Sequence, residues 1–130
     1  MSPLPLLAVF AAALPFLPAA DIAPPLGSEL VPSSTIVLTK STSDAGVRSV
    51  DLHCEPTGGK HPNARSACED LLLSDGHVQA VRHTDSFCTL EYRPVHVTAI
   101  GSWRGEHRSY DHVYSNACAM RVATGSVFQF

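Results

Sequence analysis

The sequence predicts an α+β domain whose strands run antiparallel, and three observations carry that expectation. Extended patterns follow one another at residues 35–39, 47–54, 95–102 and 106–115, a single helical pattern is inserted at 66–76, and a helical turn comes late, at 116–122. Of the 130 residues 45% are hydrophobic and 16% charged, with a net charge of −3. That composition excludes a disordered chain and gives no basic surface for nucleic acid. The length suits one domain, so a heptad array and a large two-domain enzyme are excluded as well.

Taken in chain order, residues 1–20 read as a signal peptide. The apolar run from Leu4 to Ala20 is rich in Leu and Ala, ends in small residues, and is too short and too interrupted by Pro5, Pro15 and Pro18 for a spanning helix. No Lys or Arg precedes the run, and no small-x-small triplet stands before Asp21. Residues 21–33 have the Pro-, Ser- and Gly-containing look of a flexible lead-in, which leaves 34–130 as the folded domain. There, 35–39 (Thr-Ile-Val-Leu-Thr) is a β-branched run and 47–54 alternates; both read as strands. Residues 57–63 read as loop. Ser66 followed by Glu69 has capping-box spacing, and Ala67, Leu71 and Leu72 continue a short helix that stops near Gly76. Residues 95–102 and 106–115 form a hairpin about Arg104-Gly105, and 126–130 reads as a last strand. Four cysteines in so small a body suggest two disulfides in an oxidising compartment, with three pairings open.

Catalytic chemistry finds little support. The seven histidines (His53, His61, His77, His83, His96, His107 and His112) lack a paired ligand spacing, and no two cysteines form a C-x₂-C knuckle, so no metal is expected. Gly101-Ser102-Trp103-Arg104-Gly105 lacks nucleophile-elbow spacing and falls on the hairpin turn. No Gly-rich phosphate loop is present, so neither an enzyme nor a cofactor is expected. The informative segment is Phe87-Cys88-Thr89-Leu90-Glu91-Tyr92-Arg93-Pro94: an apolar residue two places after a cysteine, in a stretch closed by proline. It reads either as a connecting loop or as an exposed, stiff loop offering a large side chain to a protease pocket.

The motifs decide between these readings by resemblance. Cys54-Glu55-Pro56-Thr57-Gly58-Gly59-Lys60-His61-Pro62, then Ala67-Cys68 and Leu71, resembles the signature of the Streptomyces subtilisin inhibitor family. The likeness continues through 87–95, Gly101-x-Trp103-x-Gly105, Arg108-x-Tyr110, Tyr114-Ser115-Asn116-x-Cys118-x-Met120 and Ser126-Val127-Phe128-x-Phe130. Glu69 and Glu91 depart from the pattern; Glu91 is acidic where the family more often has an apolar residue.

The resemblance implies a secreted, dimeric inhibitor of subtilisin-like serine proteases, with a five-stranded antiparallel sheet, two short helices and two disulfides. Carried onto this chain, the reactive bond is Leu90–Glu91, with Leu90 entering the primary specificity pocket. Phe87, Cys88, Thr89, Tyr92 and Arg93 are the expected protease contacts, and Pro94 and Asn116 the loop's support. The expected disulfides are Cys54–Cys68 and Cys88–Cys118. A homodimer through an exposed sheet face is expected because the run Ile36-Val37-Leu38 offers apolar groups to both faces of its strand. No nucleic-acid or membrane partner is expected. The alternative is a secreted binding or structural protein that keeps the fold without tight inhibition and serves as a protease or crosslinking substrate.

Overall fold

The computed structural model describes Pro3, Pro5 and residues 11–16, 31–81 and 87–130. The expected signal peptide and lead-in therefore lie largely outside the described residues, as do His83 and the residues just before Phe87. Among the described residues no helix is long and apolar enough to cross a membrane.

Five strands form one antiparallel sheet: β1 (Ser34–Thr42), β2 (Gly46–Cys54), β3 (Gly58–Gly59), β4 (Val95–Trp103) and β5 (Glu106–Tyr114), in the order β3-β2-β1-β4-β5. Among the described residues there are also two helices, α1 (Ala64–Leu73) and α2 (Ala117–Thr124), and a 3-10 turn at Val78–Ala80. The alternation read from the sequence sorts β1 and β4 cleanly. Ile36, Leu38, Val95, Val97, Ala99 and Trp103 are buried on one face, while Val37 and Ile100 point outward from directly paired positions. Each large aliphatic side chain buried in this way contributes roughly 1.5–3 kcal/mol. Helix α1 closes the β2 side of the inner face with Ala67, Cys68 and Leu71, and the Cys54–Cys68 disulfide ties helix to strand. Closing a loop of about 15 residues is worth roughly 3 kcal/mol on the chain-entropy account.

Two turns use left-handed backbone. Arg104 (φ 47°) and Gly105 (φ 85°) make the two-residue β4–β5 connection, as the Arg-Gly step predicts. Gly76 (φ 74°) ends the α1 region, and a Cβ there would sit 2.3 Å from Trp103 Cγ. The indole thus packs directly on the glycine backbone, and no larger residue fits.

The structure corrects the sequence reading in two places. Helix α1 begins at Ala64 rather than after Ser66: Asn63 is its N-cap and accepts the Ala67 N–H at 3.0 Å, leaving Ser66 exposed in the first turn. Residues 126–130 form no strand, and the fifth strand is the two-residue β3. The reason is that side chains take up the terminal segment's carbonyls. His61 Nε2 lies 2.8 Å from Val127 O, Asn63 Nδ2 donates to Gln129 O at 2.9 Å, and Lys40 Nζ donates to Phe128 O at 3.1 Å and to the Phe130 carbonyl. Val127 and Phe128 fill the core beneath this strap.

His61 makes the strap sensitive to pH. It is only 4% exposed, and its Nδ1 accepts the Asn63 N–H at 2.9 Å, so the neutral ring carries its proton on Nε2 and donates to Val127. Burial lowers its pKa, against the raising effect of the Val127 and Ser126 backbone. Because the folded value lies below the unfolded one of about 6.5, this contribution is complete above that pH and is lost as pH falls through the folded pKa. Thermal unfolding at pH 7 and pH 5 should show a fall in Tm on acidification that is smaller in His61→Gln. At pH 7 that variant should be less stable by about 1–3 kcal/mol, the cost of a broken buried hydrogen bond.

Candidate functional site

Directly before β4, the residues from Phe87 to Pro94 have no regular secondary structure. Phe87, Leu90 and Tyr92 project from it into solvent, with Phe87 and Leu90 fully exposed. Three large apolar groups outside the core are costly unless something covers them, and here they stand on a segment that is fixed rather than loose.

Three ties to the start of α2 fix it. The Cys88–Cys118 disulfide joins Cα atoms 5.7 Å apart. The Arg93 N–H donates to Ser115 O at 2.8 Å. Asn116, 7% exposed, is the third tie and the most specific. In an extended chain the carbonyls of residues 89 and 91 face the same way, and Asn116 Nδ2 donates to both, at 3.1 Å to Thr89 O and 2.8 Å to Glu91 O. Its Oδ1 accepts the Ala119 N–H at 2.8 Å and so caps α2. One buried amide therefore anchors itself to a helix end with its oxygen and grips the backbone on both sides of Leu90 with its nitrogen.

Charge enters on the C-terminal side of Leu90. Arg93 Nε is 2.9 Å from Glu91 Oε1, and Arg93 Nη1 is 3.7 Å from Asp44 Oδ2 in the β1–β2 turn. The turn reaches the loop because Thr42, at the end of β1, pairs with Val95, the first residue of β4. A cleft of 390 Å³ separates the two, lined by Thr42, Asp44, Thr89, Glu91, Arg93 and Asn116 among others.

The site residues read from the sequence, Phe87 through Pro94 with Asn116 and Cys118, thus stand together at one end of the sheet. Cys54 and Cys68 serve the core instead, and both disulfides pair as the resemblance implied. Sequence reasoning missed Asp44 and Ser115. Ser115 adjoins Asn116 and could have been suspected, but Asp44 becomes a neighbour only through the β1–β4 register. The described histidines do not gather at one place: His61 is buried under the terminal strap, His53 lies 3.3 Å from Asp51 and His96 2.7 Å from Asp111. Among the described residues no three His, Cys, Asp or Glu side chains gather to hold a metal. An exposed, braced, extended segment topped by apolar side chains suits insertion into a groove that binds extended peptides, not bond-making of its own.

Comparison with known proteins bears on the same segment. The subtilisin inhibitor-like family profile matches residues 32–116. A protease inhibitor of Streptomyces netropsis is 44% identical over 105 residues, which cover 75% of this chain and 96% of that protein. The subtilisin inhibitor of Streptomyces albogriseolus is 41% identical over 110 residues, covering 79% and 76%. Among solved structures, Streptomyces caespitosus sermetstatin, crystallised in complex with Bacillus licheniformis subtilisin, superposes with a TM-score of 0.60 at 30% identity, covering 75% of this chain and 98% of that one. With the profile spanning more than half of the chain, and relatives of this identity nearly or largely covered, the protein is a member of the subtilisin inhibitor-like family, whose members are protease inhibitors and not enzymes.

Proposed function

We propose that this protein is a secreted inhibitor of subtilisin-type serine proteases that acts as a substrate held too well, with Leu90–Glu91 as the reactive bond. The observation that carries the reading is the double donation of Asn116 to the carbonyls of Thr89 and Glu91. A loop already fixed in an extended shape loses little conformational entropy on docking, so more of the contact energy appears as affinity. Leu90 fills the protease's primary pocket, a medium-sized apolar group that suits subtilisin-type and chymotrypsin-like enzymes rather than a pocket requiring a cation. Phe87, Thr89, Tyr92 and Arg93 contact the flanking groove. After attack on the Leu90 carbonyl the new amine on Glu91 cannot leave, because Asn116 and the Arg93–Ser115 bond hold its side of the cut while Cys88–Cys118 holds the other. Religation then outruns hydrolysis. The inhibitors among the relatives support this reading over that of a mere protease substrate, and the apolar run before residue 21 and two disulfides support secretion.

The same reading includes a homodimer through the outer sheet face. Val37 and Ile100, paired across β1 and β4, are 48% and 53% exposed, and Val113 is exposed farther along the same outer face, opposite His96. A second copy seated there buries an apolar strip that otherwise faces water.

Titration of a subtilisin-type protease with the purified protein should give stoichiometric, slowly reversed loss of activity. Leu90→Lys should lower affinity for that enzyme by on the order of 10- to 100-fold, the equivalent of losing a buried Leu-sized contact, and should create trypsin inhibition with Tm almost unchanged. Rapid complete digestion of the wild type, or an unaltered profile in the variant, contradicts the assignment. Light scattering at micromolar concentration should give the mass of a dimer, and Val37→Asp, which places a charge in the strip, should give a monomer; a monomeric wild type refutes the dimer.

A further inference from the structure

We propose that Arg93 is a specificity-determining residue of the loop, an internal counter-ion that lets Glu91 enter a protease groove beside the reactive bond. This rests on the reading of residues 87–94 as the reactive loop. An acidic residue just after the scissile position is the chain's most consequential departure from the family pattern, and its carboxylate does not stand alone. The guanidinium of Arg93 lies 2.9 Å from it, on a backbone pinned by the bond from Arg93 N–H to Ser115 O. Asp44 is a second, more distant carboxylate, 3.7 Å from the same guanidinium.

In the free protein these groups are 59–76% exposed, so water screens them and the pair adds little to stability. Docking changes the balance. A protease covering the loop excludes water, and an isolated carboxylate carried into that interface loses its hydration without return. The same carboxylate already paired with Arg93 enters with its charge largely balanced. Proteases whose surface next to the primary pocket is neutral or apolar are then accepted, whereas without Arg93 they are disfavoured.

A double-mutant cycle tests this, using wild type, Arg93→Gln, Glu91→Gln and the double variant against one subtilisin-type protease, with Tm measured for each. Arg93→Gln should weaken inhibition about tenfold when Glu91 is present and less than about threefold when position 91 is already Gln. Tm should change by no more than about 2 °C across the set, because the pair is exposed. Equal losses in both backgrounds would mean that Arg93 only braces the backbone, and no loss in either that it is idle; both overturn the proposal. Wild type that fails to inhibit, or is cut elsewhere than Leu90–Glu91, overturns the reactive-loop reading and this proposal together, while Leu90-dependent inhibition with an additive cycle overturns the role of Arg93 alone.

Discussion

A single buried side-chain amide organises the exposed end of this molecule. Asn116 can donate two hydrogen bonds and accept at its oxygen, and it uses both donors and its oxygen on two jobs: capping α2 and holding the carbonyls on either side of Leu90. An aspartate would cap the helix equally well but could not donate to either carbonyl. A serine would cap with a hydroxyl too short to span both. The amide therefore couples the position of the loop to the position of the helix, and the helix is set in turn by the core through Met120 and Thr124.

The remainder of the fold can be understood as what keeps that amide in place. The Cys88–Cys118 disulfide and the Arg93–Ser115 bond attach the loop on both sides of Leu90 to the same few residues at the start of α2. Strand β4 begins at Val95, directly after Pro94, so the loop's far end is continuous with a central strand of the sheet. On the inner face, Cys54–Cys68 and the His61, Asn63 and Lys40 bonds to the terminal segment close the core. A domain of this size has a small core, and the covalent ties make up part of the difference. In the proposed mode of action the scaffold's rigidity is what separates an inhibitor from a substrate, since the loop sequence alone would be cleaved.

Much of this was legible in the residues because the signals were local. Alternation in 47–54 and 95–102 gave strands within a residue or two, and Arg104-Gly105 gave the hairpin. The disulfide pairing and the number of strands came from the resemblance, since four cysteines leave three pairings open; the two-residue Gly58–Gly59 strand, read as loop, has no periodicity to detect. The failures have two causes, distant partners and a competing local cap. Residues 126–130 look like a strand by composition, but what decides their conformation is a histidine, an asparagine and a lysine far away in sequence. Ser66 and Glu69 satisfy capping-box spacing, yet Asn63 opens the helix three residues earlier. Asp44 carries no local sign of its proximity to Arg93, because the β1–β4 register alone brings it there.

The central claim, that Asn116 turns a cleavable loop into one that is held and religated, is tested most directly by replacing that side chain and timing the cut. Asn116→Ala should remain folded, with a loss of about 1 kcal/mol from the helix cap. Incubated with a subtilisin-type protease and followed by mass spectrometry, it should be hydrolysed at Leu90–Glu91 at least about tenfold faster than the wild type, since each 1.4 kcal/mol lost from holding the cut ends together is a factor of ten. A folded Asn116→Ala that inhibits as durably as the wild type, with the Leu90–Glu91 bond cut no faster, would contradict it.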